Sequence, residues 1–280
     1  MIEPASREML RMRGLTKRFG GFHALNDLYF EVREGDIHSV IGPNGAGKTT
    51  LFNLLSGTLE PDAGEIMFED QTLGRVKPSG RTMLGIARTF QNIRLFPAMT
   101  VLENLIVAQH NKLMKASGYT VFGLLGLGVY RHAEADAVEL AKYWLDKCAL
   151  TDRADWDAGN LPYGDQRRLE VARAMCTEPI LLCLDEPAAG LNPRESAELN
   201  ELLRFIRDQH KIGVLLIEHD MKVVMEISDH IVVLDYGQKI SDGTPEFVRG
   251  DPAVISAYLG EEDDSDDIDG DPDRPGSRPG

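Results

Sequence analysis

The sequence predicts an α/β fold: a mainly parallel core sheet, an antiparallel β subdomain and an inserted helical subdomain. Three observations carry that prediction. Largely apolar runs of strand length at residues 37–41, 180–184, 212–217 and 231–234 alternate with stretches of helical periodicity, and strands alternating with helices imply parallel pairing. Residues 9–41 instead alternate short apolar and polar stretches around Gly14, Gly20, Gly21 and Gly35, the pattern of antiparallel strands joined by tight turns. From Thr100 to about Lys147 the period is helical, with Val101, Leu105, Val107 and Ala108 in one stretch and Leu140, Trp144 and Leu145 in another.

Taken in order, the run 37–41 is a buried strand and leads into Gly42-Pro43-Asn44-Gly45-Ala46-Gly47-Lys48-Thr49. This octet fills every fixed position of the phosphate-binding pattern G-x-x-x-x-G-K-[ST], and a helix opening at Thr50 supplies the strand, loop, helix context that the pattern needs. The glycines let successive N–H groups turn inward around phosphate oxygens at the positive end of that helix. Lys48 is expected to reach the β- and γ-phosphates and Thr49 to hold Mg²⁺. Residues 64–69 read as a further strand and 88–90 as a short one. Residues 116–128 combine glycines with apolar side chains and read as either a mobile loop or a surface for an apolar partner, the partner surface being the favoured of the two.

Helical periodicity resumes at 165–175 with Leu169, Ala172 and Met175 on one face. Asn192 then caps a helix that has Pro193 at its first position, Glu195 completing a capping box, and a buried stripe of Leu199, Leu202, Leu203 and Ile206. The run 180–184 ends in two carboxylates, Asp185 and Glu186. Parallel sheets place ligands at the carboxyl ends of their strands. Asp185 is therefore expected on Mg²⁺, and Glu186 beside the water that attacks the γ-phosphate.

Composition bounds the rest. With 280 residues, 42% of them hydrophobic, the chain can bury a proper core. No apolar stretch approaches the roughly 20 residues that span a bilayer, and the first ten residues carry Glu3 and Glu8 without the apolar centre of a signal peptide. A cytoplasmic location is expected. Cys148, Cys176 and Cys183 form no close pair, which suits buried thiols in a reducing compartment. The net charge of −15 is concentrated at the end, where residues 261–280 hold nine carboxylates against two arginines; this acidic stretch is expected to be disordered. No basic face offers itself to nucleic acid.

Over roughly residues 9–260 these motifs resemble the ATP-binding subunit of an ABC transporter, a P-loop NTPase. The resemblance implies a cassette of residues 9–260, with 9–98 and 160–260 forming the core and β subdomain, 99–159 the helical subdomain, and 261–280 the tail outside it. Gln91, in Thr89-Phe90-Gln91-Asn92, matches the Q-loop glutamine that senses the Mg²⁺ and water site. His219, after Ile217-Glu218, matches the switch histidine that meets the γ-phosphate. Phe19 occupies the position of the aromatic that stacks on adenine, and residues 189–192 match the D-loop, with Asn192 where many members have Asp. The signature L-S-G-G-Q-Q-R becomes Leu161-Pro162-Tyr163-Gly164-Asp165-Gln166-Arg167. Pro162 lacks the serine hydroxyl, leaving the N–H groups of Tyr163 and Gly164 at the helix end to meet the nucleotide of an opposite subunit. The two sites of a dimer are then expected to be unequal.

The stretch 163–170, the run 187–193 and the ending Ala257-Tyr258-Leu259-Gly260 are similar to an ATPase of bacterial branched-chain amino acid importers. That resemblance implies two permeases, a second and different ATPase, an extracytoplasmic solute-binding protein, and a seat on the inner face of the cell membrane. Cassettes for urea, other amino acids or lipopolysaccharide share much of the pattern. A non-transport ABC ATPase would carry tandem cassettes or a long coil, for which the distance from Lys48 to Leu161 leaves no room. A P-loop kinase or GTPase would lack the ordered set of motifs.

Overall fold

Burial on both faces explains the apolar runs. The computed structural model describes residues 7–116 and 128–258. Its chain begins with two long strands, β1 (Glu8–Phe19) and β2 (Phe22–Arg33), followed by β3 (Ile37–Ile41), α1 (Lys48–Leu55), β4 (Ala63–Phe68), β5 (Gln71–Thr72), α2 (Pro78–Met83) and β6 (Ile86–Arg88). The helices α3 (Val101–Ala108), α4 (His110–Ala116), α5 (Gly128–Lys147) and α6 (Tyr163–Met175) come next. The remainder runs β7 (Leu181–Asp185), α7 (Pro193–His210), β8 (Gly213–Ile217), α8 (Met221–Ile227), β9 (His230–Asp235), β10 (Gln238–Gly243) and α9 (Pro245–Arg249).

Two sheets result. The six-stranded one has the order β10-β9-β3-β8-β7-β6 and is parallel except for the hairpin that adds β10. Its central strands β3, β7 and β8 are buried at every position, as a parallel strand covered on both sides requires. Alternation sends Leu182, Leu184, Val214 and Leu216 to the side of α6 and α7, and Leu181, Cys183, Leu215 and Ile217 to the opposite side. There they meet α1 and the second, antiparallel sheet, of order β2-β1-β4-β5. The β1–β2 ladder is interrupted by register shifts; its inward residues Leu10, Met12, Leu15, Leu25, Leu28 and Phe30 are buried.

The expected start of α7 holds, while α1 and α6 begin two residues before the expected Thr50 and Asp165. Asn192 accepts from the N–H groups of Arg194 and Glu195 while Glu195 accepts from the N–H of Asn192, a reciprocal cap at the head of α7. All four residues of the α7 stripe, and Leu169, Ala172 and Met175 on α6, are buried.

Some expectations shift. The short strand expected at 88–90 is found at Ile86–Arg88: Ile86 and Ala87 are buried ladder residues, and the N–H of buried Thr89 adds a last bond to the carbonyl of Cys183 where regular pairing ends. Val107 does not join Val101 and Leu105 in the core but faces outward near Phe96. The partner surface expected at 116–128 and the acidic tail at 261–280 lie outside the described residues.

Candidate nucleotide-binding site

Four neighbouring parallel strands, β3, β8, β7 and β6, end on the same edge of the core sheet. Each is followed within three residues by positions that the sequence singled out: the loop 42–49 after β3, His219 after β8, Glu186 after the terminal Asp185 of β7, and Gln91 past β6. One edge thus assembles residues scattered over nearly 180 positions of sequence.

The loop is shaped by two crowded glycines and one open one. Gly42 (φ +147°) and Gly47 (φ +104°) lie so close to the carbonyls of Leu234 and Ala24 that an added Cβ would fall 2.0 and 2.4 Å from those oxygens. Gly45 (φ +80°) has no atom within 4 Å of such a Cβ, so it fronts the open space where a ligand would sit. Pro43 and Ala46 are buried, Asn44 and Thr49 exposed, and Thr50 half-buried. Lys48 donates to the carbonyls of Gly42 and Pro43 at 2.5 and 2.8 Å, which folds its ammonium back over the loop. Gly47 is the cap of α1, so the N–H groups of Lys48 and Thr49 start a helix dipole aimed at the same space.

Asp185 is 6% exposed. Its Oδ2 accepts from Nη2 of Arg88 at 3.0 Å, and Arg88 also donates through Nη1 to Asn53 Oδ1 and Ser56 Oγ at 2.9 Å each. Glu186, held at φ +46°, accepts from Gln91 Nε2 at 2.9 Å and lies 3.8 Å from His219 Nδ1. Its own N–H donates to the carbonyl of Ile217. A non-glycine residue at positive φ is uncommon and is found where the surroundings over-determine it. Glu218 does that: fully buried, it accepts from the N–H of Ala188 at 2.7 Å and of His219 at 3.2 Å, tying the turns after β7 and β8 together. Burial raises the Glu218 carboxyl above its ordinary range, against the pull of those two N–H bonds.

Phe19 ends β1 with half its surface exposed and Lys17 above its ring, a free face for stacking. Tyr163 and Gly164 begin α6, capped by Pro162 without a side-chain bond. Tyr163 is exposed, whereas Gly164 is buried against Glu195; neither is brought to the Lys48 loop within this chain.

Thr49, Asp185 and Gln91 supply a hydroxyl, a carboxylate and an amide oxygen, all hard donors suited to Mg²⁺. Among the described residues no group of three or more His, Cys, Asp or Glu side chains could hold a metal alone. That fits an ion that keeps waters and takes phosphate oxygens.

The sequence did not single out Arg88, Glu218 or the buried Arg81. Arg81 closes the carboxyl end of α1, donating to the carbonyls of Leu54, Leu55, Leu73 and Val76, and burial lowers its pKa. A lone arginine gives no sequence signal for such a role. The arginine in Arg88-Thr89-Phe90-Gln91, immediately before the motif, offered one.

Comparison with known proteins agrees with the geometry. The family described as "ABC transporter" matches residues 25–189, and that described as "Branched-chain amino acid ATP-binding cassette transporter" matches 238–264. Two high-affinity branched-chain amino acid transport ATP-binding proteins, LivG of Escherichia coli strain K12 and BraF of Pseudomonas aeruginosa, are each 50% identical over 256 residues, 91% of this chain and 99% of theirs. The crystal structure of the ADP conformation of MJ1267, an ATP-binding cassette of an ABC transporter, has a TM-score of 0.79 at 32% identity and covers 91% of this chain and 100% of its own. The chain therefore belongs to the ABC transporter family, as an ATP-binding subunit of the branched-chain amino acid type.

Proposed function

We propose that this chain binds MgATP and hydrolyses it to drive uptake of branched-chain amino acids through a membrane permease. The observation that carries the reading is the convergence of the 42–49 loop, Asp185, Glu186, Gln91 and His219 on one sheet edge, in a chain half identical to transport ATP-binding proteins for those amino acids.

The roles follow from position. Phe19 stacks on the base; Gly42 to Thr50 wrap the phosphates; Lys48 exchanges its two carbonyl partners for β- and γ-phosphate oxygens. Thr49, Asp185 and Gln91 hold Mg²⁺, which when bound neutralises charge on the β- and γ-phosphates. Glu186 orients and polarises the attacking water, Gln91 fixes the Glu186 carboxylate, and His219 reaches the γ-phosphate from the exposed side of β8. Tyr163 and Gly164 serve the site of an opposing subunit through the head of α6.

Residues 9–98 and 160–260 act as the core, and 99–159 as a helical lobe. No helix of the described residues is long and apolar enough to cross a membrane. The permeases are read as separate chains that this one meets on the inner face. The exposed Phe96 and Val107 line a cavity of about 340 Å³ beside Arg88, Thr89, Glu170 and Arg173. A second, different ATPase and an extracytoplasmic solute-binding protein complete the system.

Cells carrying Glu186→Gln in place of the native chain are expected to bind ATP but to lose uptake of labelled leucine, with turnover down at least 100-fold. Undiminished hydrolysis by that variant refutes the assigned chemistry. Normal hydrolysis by the native complex without any stimulation by leucine and its binding protein refutes the assigned cargo.

A further inference from the structure

Arg167 stands on α6 yet grips a different segment. Its guanidinium is 1% exposed. Nη1 donates to the carbonyl of Phe90 at 3.0 Å and to Oε2 of Glu170 at 3.1 Å, while Nη2 donates to the carbonyl of Gln91 at 2.8 Å and to the hydroxyl of Tyr163 at 2.9 Å. Glu170 Oε1 accepts from the N–H of Arg94 at 3.2 Å, so two side chains of α6 hold the loop 90–94 from both ends. A planar fork of fixed donors in a dry setting defines the position of its acceptors more narrowly than a lysine would.

Tyr163 connects this grip to a third segment. A Cβ built on Gly190 (φ +78°) would lie 3.3 Å from Cε1 of Tyr163, so the ring rests against the turn between Glu186 and α7. The residue keeps 45% of its surface exposed, far more than a side chain placed for burial alone. It stands where the signature pattern of the family has glycine, which has no ring to lay on that turn and no hydroxyl to offer the arginine.

We propose that Tyr163 and Arg167 are positioning residues that set the carbonyl of Gln91, and through it the hydrogen bond that the Gln91 side-chain amide donates to Glu186, according to the place of Gly190. The contacts form one line: Gly190 against the Tyr163 ring, the Tyr163 hydroxyl on Arg167, Arg167 on the Gln91 backbone, the Gln91 side chain on Glu186. A displacement of the turn that carries Gly190 swings the tyrosine, frees one acceptor of Nη2 and lets the Gln91 backbone move. The proposal rests on the reading of Gln91 and Glu186 as parts of the hydrolytic site.

The test uses the full chain assembled with its partner ATPase and permeases, measuring kcat and KM for MgATP together with thermal unfolding. Tyr163→Phe removes one hydroxyl and keeps the ring. It is expected to lower kcat about fivefold, the worth of one hydrogen bond, with KM within twofold and the unfolding temperature unchanged. Gln91→Ala is expected to lower kcat further, and the double variant to equal Gln91→Ala alone, because the hydroxyl acts through Gln91. Native kcat in Tyr163→Phe, or a fivefold loss that persists undiminished on the Gln91→Ala background, overturns the proposal. Should Gln91→Ala and Glu186→Gln both keep native turnover, the underlying site reading fails and the positioning role with it. If those two are impaired and Tyr163→Phe is not, the positioning role alone fails.

Discussion

Arg88 spans the gap between the end of α1 and the end of β7, with one nitrogen on Asp185 Oδ2 at 3.0 Å and the other on Asn53 and Ser56. Both side chains of the pair are about nine-tenths buried, so the carboxylate of Asp185 is not a loose ligand waiting for a cation. It is half of a built-in ion pair, and the Mg²⁺ role proposed for Asp185 falls to its other oxygen. Arg88→Ala strands a buried carboxylate and undoes the end of α1, and is expected to cost about 3 kcal/mol of stability, read as a lower urea midpoint. Arg88→Lys keeps the charge but cannot span both partners, and should recover only part of that loss.

The two kinds of glycine in the phosphate loop predict two kinds of failure. Gly47→Ala drives a Cβ to 2.4 Å from a backbone carbonyl at φ +104°, and should destabilise the fold by about 3 kcal/mol. Gly45→Ala meets no neighbour and should cost about 1 kcal/mol from its left-handed backbone alone. Its methyl group points into ligand space, so its main effect is expected in weaker ATP binding by titration calorimetry. Equal stability losses in the two variants would contradict this division.

All three thiols should be inert while the protein is folded. Cys148, Cys176 and Cys183 are buried, and burial pushes each thiol up to about 12, so almost no thiolate is present at neutral pH. A thiol reagent at pH 8 is expected to label none of them in native protein and all three in urea. Rapid native labelling of any one would show local opening around it.

Glu218 gives the fold a definite pH slope. Its folded pKa is raised by burial, so its contribution is fully present below the unfolded value of 4.5 and is lost as pH rises through the raised folded value. In Glu218→Gln that loss disappears. The stability difference, variant minus native, should therefore grow more positive as pH rises above 4.5 in urea titrations, even though the amide satisfies one of the two N–H donors less well than the carboxylate. A difference constant across that range would place the ionisation elsewhere.

Sequence periodicity found the parts of the fold that bury continuous apolar surface and missed the parts that do not. The strand at Gln238–Gly243 has Ile240 as its only large apolar residue; pairing with β9 and the buried Ser241 hold it. The helix at Pro78–Met83 buries only Arg81, which no hydrophobic pattern can register. The helix at Met221–Ile227 has a clear cap in Asp220, but spans only two turns. The site was legible because Lys48, Asp185, Glu186, Gln91 and His219 belong to short local patterns. The arginines that hold them, Arg88 and Arg167, bond to carbonyls and carboxylates brought near only by the tertiary fold.

The position of β3 between β8 and β9 has a consequence for how the chain is made. Ile37 to Ile41 leave the ribosome before their hydrogen-bonding neighbours, Val214 to Ile217 and His230 to Val233, which lie 177 and 192 residues later. At roughly 5 to 20 residues per second that is a wait of about 10 to 35 s, during which an apolar strand and the phosphate loop behind it have no sheet to join. Changes that leave the finished enzyme intact but make this early segment more adhesive should therefore surface as lost yield and aggregation in the cell, with normal activity in whatever molecules reach completion.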